Sequence, residues 1–253
     1  MKKLHLILMS LFLLGFIQIG QSQENQKVKE IIQKSDDKLR GLSSYAEISM
    51  KIIRPDWSRE MKMKSWSKGT EFSLILMTYP ARDKGMAFLK RGNEMWNWQP
   101  TIDRTIKLPP SMMLQSWMGS DFTNDDLVKQ SSLVVDYTHK LLGSETIEGR
   151  DCHKIELIPL EEAPVVWGKV IMWIDKAEYM QLKVEFFDED NYLVNTMRGK
   201  DIKMLGGKLL PAIMEVIPAE EEGHKTVIEY LSLNFDKKIK DSFFSIQSMK
   251  RVR

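Results

Sequence analysis

The chain of 253 residues contains one cysteine, Cys152, and four dispersed histidines, His5, His139, His153 and His224. One cysteine excludes an internal disulfide. The histidines form no H-E-x-x-H pattern and no Cys/His ligand spacing, so no metal ligands are expected. A G-x-S-x-G elbow, a phosphate-binding glycine loop and a dinucleotide fingerprint are also missing, and neither catalytic residues nor a cofactor is expected. The sequence reads as that of a protein that is not an enzyme. Charge of one sign is lacking too. Without the two lysines of residues 1–22, the 37 basic residues become 35, against 35 acidic residues. That neutral balance gives no electrostatic reason to expect nucleic acid or an anionic surface as the main partner. After residue 22 no apolar run approaches the ~20 residues that span a bilayer. No linker rich in Pro, Gly or Ser divides the chain and no segment repeats, so residues 23–253 are expected to form one domain.

What is present begins at the N-terminus. Lys2 and Lys3 precede an apolar run from Leu6 to about Ile19, with small residues at Gly20 and Ser22. This is the order of a secretory signal peptide, here 1–22, with the mature chain starting near Gln23 or Glu24. A lipid anchor would need a cysteine at that site, and Cys152 is far from it. The expectation is a soluble monomer exported to the periplasm of a Gram-negative-type envelope and not itself a lipoprotein.

Periodicity then starts helical and turns to strand. Val28, Ile31, Ile32 and Leu39 fall near one face of a helix that Gly41 can end. From Ser44 onward Ala46, Ile48, Met50 and Ile52 alternate with polar neighbours, and Met61 and Met63 do the same after a turn containing Pro55. The rhythm continues to about Leu233, with a hairpin turn expected at Gly206 and Gly207. The expected fold is mainly β: an N-terminal helix followed by about eleven or twelve strands in mostly antiparallel order, forming a strongly curved sheet or open barrel.

Residues 109–129 interrupt the strands. Met113 with Trp117 and Leu114 with Met118 are spaced i to i+4, which predicts a short helix, and Thr123 stands three residues before Asp126 as in a capping box. The segment is either a core plug or a mobile lid, and its Met content suits an adaptable apolar surface. As a lid, Met112, Met113, Leu114, Trp117 and Met118 would cover a cavity mouth. Met61, Met63, Phe72, Leu74, Leu76, Phe88 and Trp96 lie on apolar phases of adjacent strands and are the candidate cavity wall. Cys152, at a strand start, reads as a buried small residue and not a nucleophile.

Four segments, WSREMKMKSWSKGTEFSL, GNEMWNWQP, SWMGSDFTNDDL and WIDKAEYMQLKVEFFDEDN, resemble the outer-membrane lipoprotein-sorting proteins of the lipoprotein carrier (LolA-like) superfamily. The likeness is to its sorting-like subgroup and extends over the mature chain. It implies an unclosed antiparallel barrel of about eleven strands, a half-barrel wrapped around an apolar cavity with short lid helices, and a function as a periplasmic carrier that shields lipoprotein or lipid acyl chains for transfer toward the outer membrane. It also implies an inner-membrane transporter and an outer-membrane acceptor as partners. An arginine tying lid to barrel belongs to that pattern, with Arg59 and Arg82 as candidates by position. The alternative is a hydrophobic-ligand-binding accessory of an inner-membrane exporter of the resistance-nodulation-division (RND) class.

Overall fold

The computed structural model describes residues 25–113, 115–124, 126, 132–163 and 165–253; the expected leader, 1–22, and Leu114 lie outside the described residues. Helix α1 covers 25–40 and buries Val28, Ile32 and Ser35, which share one stripe at i, i+4 and i+7. At its end Gly41 adopts φ +64° and donates its N–H to the Asp37 carbonyl at 2.9 Å. A Cβ there would stand 2.9 Å from the Phe235 ring, so both conformation and space ask for glycine.

The strands are β1 (Ser43–Ile53), β2 (Ser58–Lys68), β3 (Phe72–Tyr79), β4 (Ala87–Arg91), β5 (Glu94–Gln99), β6 (Arg104–Lys107), β7 (Tyr137–Ile147), β8 (Arg150–Pro159), β9 (Lys169–Asp175), β10 (Gln181–Phe187), β11 (Leu193–Leu205), β12 (Lys208–Pro218) and β13 (Lys225–Phe235). They form one sheet in the order β6-β5-β4-β3-β2-β1-β13-β12-β11-β10-β9-β8-β7. Among the described residues thirteen strands form instead of about eleven, because runs as short as β6, four residues, still pair with a neighbour. The sheet is antiparallel throughout and unclosed, with β6 and β7 as edges.

Topology decides where the long insertion must go. The chain starts at the centre of the sheet, meanders out to β6, and resumes at the opposite edge with β7. The link between those edges joins strands that are not neighbours, so it has to traverse a face of the sheet. Residues of β1–β4 and of β9–β13 line one cavity, so the sheet curls around that inner face. The link crosses it, burying Trp117 and Phe122 against Met61, Met63 and Phe88, while α1 packs on the other half against Ile155, Val170 and Val184.

The outer face of β2–β5 is covered as well. Residues 236–253, including helix α2 (Ile246–Arg251), place Phe244 and Met249 on Leu74, Leu76, Ala87, Leu89 and Trp98. Ser245 caps α2, accepting from the Ser248 N–H at 3.2 Å. Two-sided cover explains why β3 is apolar in both phases, with Leu74 and Leu76 outward and Ile75 and Met77 inward.

The helix predicted over 113–118 does not form. Single 3₁₀ turns occur at Pro110–Met112 and Trp117–Gly119, and Met118 is left-handed at φ 55°. The Trp117 N–H donates to the Phe122 carbonyl at 2.7 Å, and Ser116 bridges Thr123, so the backbone closes as a tight loop. The capping box does form: the Thr123 N–H donates to Asp126 Oδ2 at 2.7 Å and the Asp126 N–H to Thr123 Oγ1 at 3.1 Å.

Candidate functional site

Register alone grades the inner face of β1–β4 from polar to apolar. Ser44, Ser67, Ser73 and Lys90 stand opposite one another across four strands, and Ala46, Ser65, Ile75 and Phe88 form the next row. Beyond them come Ile48, Met63 and Met77, then Met50 and Met61. The cavity over these rows measures about 280 Å³ within a wider empty space of about 2100 Å³ that opens to solvent. Ile48, Met63 and Ile75 line one side and Met172, Val184 and Phe186 the other, with Trp117 and Phe122 of the crossing segment contributing to the wall.

The seven wall candidates divide between the two faces. Met61, Met63 and Phe88 point inward: Met63 lines the cavity, and Phe88 meets the Trp117 ring edge-on at 5.3 Å. Leu74, Leu76 and Trp96 belong to the outer face under the C-terminal segment, and Phe72, which stacks on Phe244 at 5.3 Å, also borders the cavity. A single wall of all seven is therefore corrected. Adjacent side chains of a strand point to opposite faces, and both phases of β3 are apolar. Sequence reading missed the polar row, although the serines of S-W-S and F-S alternate with apolar or basic neighbours in plain view.

Of the crossing-segment candidates, Trp117 is 1 % exposed, while Met112, Met113 and Met118 are half-buried. The indole N–H of Trp117 is buried without a hydrogen-bond partner among the described residues. The segment is held by Asp121. Arg54, in the β1–β2 turn, donates Nη2 to Asp121 Oδ1 at 2.8 Å and Nη1 to Oδ2 at 3.1 Å, and Nη2 also reaches the Gly119 carbonyl at 3.2 Å. Thr226 of β13 donates its hydroxyl to Asp121 Oδ2 at 2.6 Å and accepts from the Asp121 N–H at 3.0 Å. A bidentate arginine clamp that excludes most water is among the stronger polar contacts a protein makes.

Arg54 thus holds the place for which Arg59 and Arg82 were candidates. Arg59 lies 3.6 Å from Asp83 and beside the Met61 sulfur, and Arg82 lies 3.5 Å from Asp83. Both interact within the β2–β4 region. The available signal was Asp121 itself, the sole charge between Leu108 and Phe122.

Cys152 is fully buried beside Trp173 and Met180 on the outer face, and burial pushes its thiol up to about 11. His139 is held below its ordinary value, first by burial. Among the described residues no group of three or more His, Cys, Asp or Glu side chains is placed to hold a metal.

A family described as an uncharacterized protein matches residues 69–251. No curated protein matches the chain. Three solved structures share its fold. A DUF1329 family protein from Desulfovibrio piger is 24 % identical over 89 % of this chain and 99 % of its own, with a TM-score of 0.81. A domain described as an outer membrane lipoprotein-sorting protein from Vibrio parahaemolyticus is 25 % identical over 90 % of this chain and 100 % of its own, with a TM-score of 0.79. A LolA superfamily protein from Nitrosomonas europaea is 23 % identical over 87 % and 98 %, with a TM-score of 0.74.

Proposed function

We propose that this chain, which belongs to the family whose model matches residues 69–251 and shares its fold with a LolA superfamily protein and a lipoprotein-sorting domain, is a periplasmic binding or carrier protein that shields lipid or lipoprotein acyl chains in the inner-face cavity during transfer toward the outer membrane. Residues 1–22 direct its export, and donor and acceptor proteins at the two membranes hand the ligand on.

The observation that carries this reading is the empty, Met-lined space beneath a clamped crossing segment. Each buried methylene contributes about 0.8 kcal/mol, so ten of them supply about 8 kcal/mol before association costs are subtracted. No chain of specific hydrogen bonds is needed. The wall contains side chains that yield: Met50, Met63, Met172 and Met197 line the cavity, and Met61, Met77 and Met95 pack in one cluster with Met50 and Met63 beside it. An unbranched thioether adapts to varied apolar partners, which suits a carrier that must also release its load. At about 280 Å³ the cavity lies near the low end of small-molecule pockets, ~300–1,000 Å³. Ligands with several chains therefore require the crossing segment to move, and it serves as a lid.

The test uses N-phenyl-1-naphthylamine, an uncharged apolar dye, with the delipidated mature protein, alongside mass spectrometry of what co-purifies from the native envelope. Dye binding and co-purified acylated molecules are expected. In the double variant Trp117→Ser/Met118→Ser, dye affinity should fall by about tenfold, the equivalent of 1.4 kcal/mol. A protein that takes up no dye and retains no acylated molecule overturns the reading. A double variant that melts far lower while its folded fraction binds dye normally makes the segment a structural plug.

A further inference from the structure

The polar row at one end of the cavity has no role in holding hydrocarbon. Lys90 is 8 % exposed, and its ammonium donates to the Thr70 carbonyl at 2.6 Å without forming an ion pair with any carboxylate among the described residues. The Ser44 and Ser67 hydroxyls bond one another at 2.7 Å, whereas those of Ser65 and Ser73 engage no partner among the described residues. From α1, Arg40 and Asp36 border the same space, joined by Nη2–Oδ1 at 2.7 Å and Nε–Oδ2 at 3.1 Å. That pair cancels its own charge, and among the described residues that line the cavity Lys90 is the cation without an ion pair.

A lysine that served only solubility would extend its flexible stem into water. This one instead keeps a hydrated point charge inside, at a cost that a bound anion would offset. Burial lowers its pKa to about 8, Arg40 pushes the same way, and Glu71 and Asp36 oppose them. The apolar rows begin one step along the strands and end at Met50, six residues from Ser44 on β1. At about 3.4 Å per residue that is roughly 20 Å. One acyl chain fills half of a bilayer's ~30 Å hydrocarbon core, so the wall is long enough for a single extended chain and its head.

We propose that this polar end receives the anionic head group, carboxylate or phosphate, of an acyl-chain amphiphile, with Lys90 as counter-charge and the Ser65 and Ser73 hydroxyls as donors. The assignment rests on the carrier reading above and narrows its ligand class. The chain points its tail toward Met63 and Met50 and its head toward α1. An acyl chain without a charged head fits the apolar rows but leaves Lys90 uncompensated.

The test is displacement of N-phenyl-1-naphthylamine from the delipidated mature protein by palmitate, hexadecyl phosphate, palmityl alcohol and inorganic phosphate. At pH 7 the two anionic amphiphiles should act at concentrations at least tenfold below the alcohol, and inorganic phosphate should not compete at millimolar concentration. Lys90→Met should bring palmitate to the level of palmityl alcohol. Lys90→Arg, which keeps the charge, should retain the preference and serves as the control for folding. In the wild type the preference should be full between about pH 6 and 7, where the carboxylate is ionised and Lys90 protonated, and decline as Lys90 loses its proton above about pH 8, with a bound anion shifting that loss upward; Lys90→Arg should not decline above pH 8. Equal displacement by palmitate and alcohol, a preference that survives in Lys90→Met, or competition by millimolar inorganic phosphate overturns the head-group assignment, and dye displacement by the alcohol then leaves the carrier reading standing. Failure of every amphiphile together with absent dye binding overturns both.

Discussion

Strands β2–β5 are covered on both faces by segments that contribute nothing to the sheet, and the two covers are made differently. On the outer face Phe244 and Met249 press onto Leu74, Ala87 and Leu89, all of them at or near zero exposure, and Phe72 stacks on Phe244. Branched aliphatic and aromatic groups with few low-energy rotamers make a fixed core there. On the inner face methionine dominates the contact, a cavity remains beside it, and the cover is tied by one carboxylate bonded to Arg54 and Thr226. Polar ties can be exchanged for water at modest net cost, whereas a close-packed apolar contact is lost with its full area. On the carrier reading proposed above, one cover stays and the other opens.

Substitutions at three places sharpen or break that contrast. The largest effect is expected for Phe244→Ala, which removes a fully buried ring from the outer cover. It should destabilise the protein by about 3–5 kcal/mol, seen as a fall in thermal midpoint of about 10 °C, with dye affinity of the folded fraction unchanged. A small fall would mean that the C-terminal segment is held loosely and that the two covers are alike. Breaking the clamp with Arg54→Leu or Asp121→Leu should cost about 2 kcal/mol by chemical denaturation, since opening of the segment limits the loss. Each single variant should also speed proteolysis within 109–126. The double variant should be less damaged than the sum of the singles, and strict additivity would show that the pair does not hold the segment. The smallest effect is expected at the capping box, where Thr123→Ala should cost about 1 kcal/mol and raise amide hydrogen exchange at Asp126 with little change in midpoint.

How much of this was legible in the sequence depended on how local its cause is. The stripe of α1 and its stop at Gly41, the Thr123–Asp126 box and the turn at Gly206 and Gly207, with φ +56° and +81°, each depend on residues a few positions apart. The alternation of β1 and β2 was equally clear. What failed were questions that only the third dimension answers. FSLILMTY has no polar phase to mark its solvent side, because residues some 170 positions later cover the outer face. Arg54 and Asp121 are 67 positions apart, and neither residue type advertises its partner. Met113, Leu114, Trp117 and Met118 carry helical spacing for a different reason. The segment runs over a curved apolar surface, and a chain of apolar residues there satisfies an i to i+4 count without a helix being required.

The position of the clamp also bears on the order in which the molecule is assembled. Strands β1–β6 and β7–β13 each build from hairpins between consecutive runs, contacts that form early because they close short loops. Pairing of β1 with β13, where Ile52 stands opposite Thr226, joins residues far apart in the chain and bears the greater closure entropy. Asp121 draws its two partners from opposite sides of that seam: Arg54 just beyond the end of β1, Thr226 at the start of β13. Its full set of bonds can form only after the two arms of the sheet have met. A nascent chain therefore completes its container before it can fasten the closure, and a half-assembled molecule is not sealed around an empty space.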